Sequence, residues 1–174
     1  KENGDNAIIS FAKQFDNIDL SKTTIKVTEQ EIENAKSSID DNLFIAIRSA
    51  IKNIKFFHEK QIPRSWFIDG NDGVLLGKKY VPLDSAGLYI PGGTAPLFST
   101  LLMTAIPAIV AGVKKIVITT PPMKDGSINP IYLVIAKELG IEHVYKVGGA
   151  VAIAALAHGT NIIPKVDKIV GPGN

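Results

Sequence analysis

The chain has 174 residues, of which 45% are hydrophobic and 7% aromatic, enough for one domain or a domain and a half with a sizeable core. Its formal net charge is +2, and no basic stripe is interleaved with aromatic residues, so nucleic acid is not an expected partner. The absence of cysteine excludes disulfides, thiolate nucleophiles and cysteine-ligated metals, and it is compatible with the cytoplasm.

Two features of the ends and the middle bear on the class of protein. The first residue is Lys1 and no signal segment follows, so we expect a piece of a longer protein, cut at both ends. Residues 85–113 carry no charge, but Pro91, Pro96 and Pro107 interrupt them. A membrane helix needs about 20 continuous apolar residues. We therefore expect a buried strand and helix of a soluble protein, with no membrane partner.

The first third of the chain is predicted to be helical. A weak helical pattern covers residues 7–15, and Thr28 and Glu31 have the spacing of a capping box. Apolar residues then recur at three- and four-residue steps up to Phe57, which predicts one long helix. The pattern allows a break near Asp40 and Asp41, and Pro63 ends the helix.

Extended segments are predicted next, over residues 64–84. Residues 69–73 form a turn between them because they are rich in glycine, aspartate and asparagine. Residues 78–83 are predicted to be an edge strand, because Pro82 has no backbone N–H to donate and proline in sheets is confined mainly to edge strands.

Strands and helices alternate from residue 86 onwards. Strands are predicted at 87–90, 115–120, 144–147 and 168–170. The intervening helices are expected to run from residue 94 or 95 to 111, from Asn129 to Gly140, and over 150–157. This alternation indicates βαβ units, hence an α/β fold with a parallel sheet and helices on both faces.

Three glycine turns follow the apolar strands, at residues 91–93, 148–149 and 171–173. Glycine lets the backbone approach a ligand closely, and the carboxyl ends of parallel strands lie at one edge of a sheet. A phosphate- or nucleotide-bearing ligand is therefore expected there, although no turn matches a G-x-G-x-x-G fingerprint. The alternative is that glycine is simply favoured where a strand meets a helix.

The sequence shows little catalytic machinery. His58, His143 and His158 each have an ordinary structural explanation, and no two of them have the spacing of metal ligands. Ser99 and Thr100 have no neighbouring base that would make either a nucleophile. The residues alone therefore predict an α/β ligand-binding domain of unknown mechanism.

Four long stretches resemble the histidinol dehydrogenase family. They are GLYIPGG at 87–93, LMTAIPAIVAGV at 102–113, VGGAVAIAALAHGT at 147–160 and GPGN at 171–174. Gly4-Asp5, Phe15-Asp16, Asn53-Ile54 and Phe57-His58 also fall where that family has similar residues. The resemblance spans nearly the whole chain in the same order and implies an N-terminal and central fragment of such an enzyme.

The resemblance implies a homodimeric, cytoplasmic enzyme that uses NAD and zinc to oxidise L-histidinol to L-histidine through the aldehyde. It also implies a three-layer α/β/α, aldehyde-dehydrogenase-like architecture. Residues 1–84 would supply the helical and extended part of the first domain. Residues 85–174 would form an incomplete, Rossmann-like cofactor-binding domain.

Three positions match the family's cofactor contacts. The resemblance implies that Tyr89 and Asn174 contact NAD, and that Val151 stands where the family has glutamine. Valine cannot make the hydrogen bonds of an amide, so a change in the affinity for NAD, or even in which cofactor binds, is expected at this position. The family's catalytic Glu-His pair and zinc ligands lie further toward the C-terminus. This chain is therefore expected to hold no catalytic or metal-ligating residue and to be inactive alone.

Two alternatives stay open at this point. The protein is a paralogous dehydrogenase for another amino alcohol, or it is a non-catalytic binding or assembly fragment whose glycines only build tight turns.

Overall fold

The computed structural model describes residues 3–16, 18–20, 25–92 and 97–172. The first part of the chain is helical, as predicted. Helix α1 passes directly into a π-helical turn, and the next two helices are separated by a 3₁₀ turn at Lys36–Ser38: α1 is Gly4–Phe11, the π turn is Ala12–Asp16, α2 is Glu29–Ala35 and α3 is Asp41–Glu59.

Local capping explains where α2 and α3 begin. Thr28 and Glu31 form the predicted capping box at the start of α2. The Asp40 carboxylate accepts hydrogen bonds from the backbone N–H groups of Asn42 and Leu43, which starts α3. The break that the sequence allowed near Asp40 is therefore present. Asp40 caps α3, so α2 and α3 are two separate helices and not one.

A two-stranded hairpin follows α3. Strand β1 (Trp66–Asp69) pairs antiparallel with β2 (Leu75–Lys78), across a turn that contains Asn71–Gly73. The predicted edge strand over residues 78–83 is wrong beyond Lys78, where β2 ends. The reason is visible at Tyr80, whose backbone N–H donates to the Ser65 hydroxyl instead of to a strand. Pro82 has no N–H to donate.

The second half of the chain alternates strands and helices, as predicted, although several ends shift by one to four residues. The helix expected from residue 94 or 95 begins at Phe98, and residues 93–96 lie outside the described part. The elements are β3 (Ser85–Tyr89), α4 (Phe98–Val110), β4 (Lys115–Thr120), α5 (Pro130–Glu138), β5 (His143–Lys146), α6 (Gly149–His158) and β6 (Lys168–Val170).

The four later strands form one parallel sheet in the order β5-β4-β3-β6. Alternate residues of the strands face two separate apolar clusters, because side chains alternate across a strand. Ile118 belongs to the cluster that includes residues of α2, α3, α4 and α5. Val117 belongs to the other, with Leu156 of α6 and Ile8 of α1. The three-layer α/β/α arrangement is thus confirmed. The division into domains at residue 84 stays a prediction.

Within the described ranges, no helix combines the length and the apolar character needed to cross a bilayer.

Candidate functional site

The carboxyl ends of the parallel strands meet at one edge of the sheet, where the glycine turns were expected. Tyr89 ends β3, and the turn of residues 147–149 joins the end of β5 to α6. Residues 90–92 follow β3, and Gly171 follows β6. The described turns therefore do lie along one edge.

Packing between neighbouring strand ends accounts for three of the four glycines that the structure describes in these turns. A Cβ at Gly92 would lie 2.5 Å from Cγ of Pro121, and a Cβ at Gly148 would lie 2.6 Å from Cβ of the same proline. A Cβ at Gly171 would collide with the backbone of Tyr89. These three glycines let the strand ends pack against one another. The simpler explanation, that junctions favour glycine, therefore applies to them.

Gly149 is different from those three. Its φ of +61° lies in the left-handed region, and a Cβ there would meet nothing within 4 Å. It is the first residue of α6, and the N-cap residue Gly148 has no side chain to bond the first turn. Apart from the Gly149 N–H, which donates to the Tyr89 hydroxyl, the first turn of α6 has no side-chain cap, so its positive dipole end can face a ligand.

A cleft of about 410 Å³ lies beside this helix start. One wall is α6 and the turn before it, over residues 147–151, and the other is α1 with its π turn, through Ile8, Phe11, Ala12 and Phe15. The rings of Phe11 and Phe15 stack with centroids 5.6 Å apart and planes 11° apart. Such an apolar, aromatic wall suits an aromatic ring, and the helix start suits an attached anionic group.

Tyr89 lies beneath this turn and is nearly buried. Its side chain is 8% exposed, and its hydroxyl accepts a hydrogen bond of 3.2 Å from the backbone N–H of Gly149. The tyrosine thus fixes the first residue of α6 at the cleft.

Val151 lines the cleft itself, two residues further along α6 than Gly149. The structure therefore brings the predicted site residues Tyr89 and Val151 to the same helix start. Asn174, the third predicted residue, lies outside the described residues.

Phe11 and Phe15 were not predicted as site residues. The sequence signal was present as two aromatic residues four apart at the end of a weak helical pattern, since such residues lie on one helix face. Their place opposite α6 depends on how α1 packs against α6 on one face of the sheet, which the pattern does not reveal.

A partly buried ion pair anchors the strand that leads into the turn. The Lys146 ammonium lies 2.5 Å from the Glu31 carboxylate, with the two side chains 5% and 31% exposed. The segment before α2 reaches this point because the Lys146 N–H donates to the Ile25 carbonyl and the Val27 N–H donates to the Val144 carbonyl. Lys146 directly precedes Val147, so the pair holds one end of the cleft wall.

Glu31 also accepts hydrogen bonds from the backbone N–H and the hydroxyl of Thr28, at 2.9 and 3.0 Å. Burial alone would raise the pKa of Glu31, but the hydrogen bonds from Lys146 and Thr28 outweigh it and lower the pKa overall. Glu31 is therefore ionised at neutral pH.

The histidines do not gather at the cleft. His58 lies in the last turn of α3, His158 ends α6, and His143 begins β5 at the opposite edge of the sheet. Burial lowers the pKa of His143, and the positive charges of Lys26 and Lys115 lower it further, so its ring is neutral at pH 7. No three histidine, aspartate or glutamate side chains within the described ranges converge as metal ligands would.

Comparison with known proteins agrees with the resemblance. The family model described as histidinol dehydrogenase matches residues 1–174. Histidinol dehydrogenases of Symbiobacterium thermophilum and Bacillus subtilis are 49% and 53% identical over the whole chain. The crystal structure of histidinol dehydrogenase from Elizabethkingia anophelis superposes with a TM-score of 0.92 at 45% identity, over 98% of this chain and 39% of that one. The chain spans about 40% of the length of these two curated relatives.

Proposed function

The chain belongs to the histidinol dehydrogenase family, and on that premise we propose that it forms part of an enzyme that oxidises L-histidinol to L-histidine through histidinal. NAD accepts the hydride in each of the two oxidations. The full-length enzyme acts as a cytoplasmic homodimer. This chain supplies part of the NAD site, while the catalytic Glu-His pair and the zinc ligands belong to the part of the polypeptide outside it.

The observation that carries the NAD assignment is the cleft between α1 and α6. Its volume of about 410 Å³ suits one end of a dinucleotide, such as a ring and its ribose. The stacked Phe11 and Phe15 line the cleft and offer apolar aromatic surface to the ring. Gly149 leaves room beside the start of α6, where a negatively charged phosphate is favoured. The residues present therefore fit the cofactor that the family uses.

The residues that this chain supplies to the proposed NAD site have separate roles. Phe11 and Phe15 cover the ring and exclude water from it. Tyr89 holds Gly149 in place through its hydroxyl, and Asn174 adds an amide hydrogen bond. Val151 contributes apolar contact only, where the family's glutamine would hydrogen-bond.

Zinc is not assigned to any described residue, because the described residues contain no cluster of three histidine, aspartate or glutamate side chains that could hold it. We expect the chain alone to lack dehydrogenase activity, because the family's catalytic Glu-His pair and zinc ligands lie outside it. Oxidation of histidinol by the purified 174-residue chain would overturn this part of the proposal.

The test is calorimetric titration of NAD into the full-length protein and two variants. Phe15→Ala removes a ring of the cleft wall that is 67% exposed, and Phe56→Ala removes a ring on α3 that is 66% exposed. Aromatic stacking contributes about 0.5–1.5 kcal/mol, so Phe15→Ala is expected to weaken NAD binding roughly 2- to 12-fold. Phe56→Ala is expected to leave it unchanged.

Equal NAD affinities of the Phe15→Ala and Phe56→Ala variants would show that the cleft is not part of the NAD site. No measurable heat from the unsubstituted, folded protein would favour a non-catalytic binding or assembly role instead.

A further inference from the structure

One face of the hairpin of β1 and β2 carries three exposed apolar side chains, beside Lys78 at the end of β2. In its register Trp66 pairs with Lys78 and Ile68 pairs with Leu76, so Trp66, Ile68 and Leu76 lie on the same side. Each of these three side chains is more than half exposed. A patch of this kind is uncommon on a monomer surface unless another surface covers it.

The opposite face of the hairpin is apolar up to Asp69, the last residue of β1. Phe67 and Leu75 lie there, and both are more than half exposed. Gly77 pairs with Phe67, and a Cβ at Gly77 would collide with that ring, so the glycine leaves room for the ring to lie across the strand. A hairpin that packs only one face alternates apolar and polar residues. This hairpin has the pattern of strands that are covered on both faces.

The unpaired backbone edges of the hairpin also indicate that another part of the protein covers it. Within the described residues β1 and β2 form a sheet of two strands, so each strand has one unpaired edge. Unpaired edges are templates for another strand, and an isolated two-stranded hairpin is at best marginally stable in water. A third strand would satisfy the free N–H and C=O groups, and its own flanking layers would cover both faces.

We infer that the β1–β2 hairpin joins, as edge or inserted strands, a sheet formed by the part of the full-length polypeptide outside these 174 residues. The curated relatives cited above are matched over only 40% of their length, so roughly three fifths of each lies outside the match. That polypeptide is tethered to the hairpin, so its effective concentration exceeds that of a second molecule. The inference is independent of NAD binding.

The test uses cysteine labelling of the full-length protein, freed of any other cysteines. These 174 residues contribute none. Ile68→Cys places a thiol on the hairpin, and the matched control Ile45→Cys places one on α3, at positions that are 54% and 64% exposed here. If the hairpin is covered, a maleimide reacts at least roughly tenfold more slowly at position 68 than at position 45. Equal rates would overturn the inference.

Dilution distinguishes coverage of the hairpin by the same polypeptide from coverage by a second copy. Slow labelling at position 68 that persists in the monomeric fraction supports coverage by the same polypeptide. Slow labelling that is lost as the protein dissociates assigns the hairpin to a second copy and overturns the inference.

Hydrogen exchange of the unsubstituted full-length protein guards against a variant that misfolds. The inference predicts slow exchange for amides on both edges of the hairpin, residues 66–69 and 75–78. Rapid exchange of every outward-facing amide would refute it.

Discussion

Replacing Glu31 with alanine tests whether the partly buried ion pair fixes the strand that leads into the cleft. The variant leaves Lys146, only 5% exposed, without its carboxylate and removes the bond to the Thr28 N–H. Removing one partner of a fully buried pair costs about 3–5 kcal/mol. Glu31 is 31% exposed, so water compensates in part and the expected loss is about 2–3 kcal/mol.

The same helix provides a matched control. Glu33 pairs with Lys137 at 2.6 Å, but these side chains are well exposed to solvent. An exposed pair contributes about 0–1 kcal/mol, so Glu33→Ala should cost at least about 1 kcal/mol less than Glu31→Ala. Urea unfolding, monitored by circular dichroism, measures the loss of stability in each of the two variants. Equal losses for the two variants would refute the account of the partly buried pair.

The pH dependence of this difference gives an independent check. The pKa of Glu31 is lowered in the folded protein from the ordinary value of 4.5. A lowered carboxyl pKa contributes stability that is present above the unfolded-state pKa and is lost as the pH falls through the folded-state pKa. The cost of Glu31→Ala should therefore be complete at pH 7 and should shrink below about pH 4.5.

Three further predictions concern the cleft. Val151→Gln restores an amide there, so it should tighten NAD binding by about 1 kcal/mol, roughly fivefold, in a calorimetric titration of the full-length protein. Tyr89→Phe leaves the Gly149 N–H without its acceptor at 3.2 Å, and urea unfolding should show a loss of about 0.5–1.5 kcal/mol. Gly148→Ala would place a Cβ 2.6 Å from Pro121, so the melting temperature should fall by an amount equivalent to about 1–3 kcal/mol; an unchanged value would contradict the packing explanation.

Local signals in the sequence predicted local structure well. The capping box at Thr28 and the Asn129 cap before Pro130 both start helices as expected, because a cap requires only residues within one helical turn. The strands at 115–120 and 168–170 have the predicted bounds. The false strand beyond Lys78 arose because an apolar, extended stretch needs a pairing partner, which the local sequence does not specify.

The site was predictable only in part. The parallel direction of the strands follows from the alternation of strands and helices, and it brings the turns to one edge of the sheet as predicted. The pairing of Lys146 with Glu31 joins residues 115 positions apart, and no local pattern signals it. The contact of Phe15 with the cleft likewise depends on tertiary packing. The role of the glycines beside Pro121 required coordinates, since only they show which atoms a Cβ would meet.

A crystal structure of the full-length protein with NAD tests the central claim most directly. The account predicts that one ring of the dinucleotide lies against Phe11 and Phe15, with a phosphate or ribose beside Gly149 at the start of α6. A dinucleotide bound elsewhere, with this cleft filled by protein side chains, would contradict it.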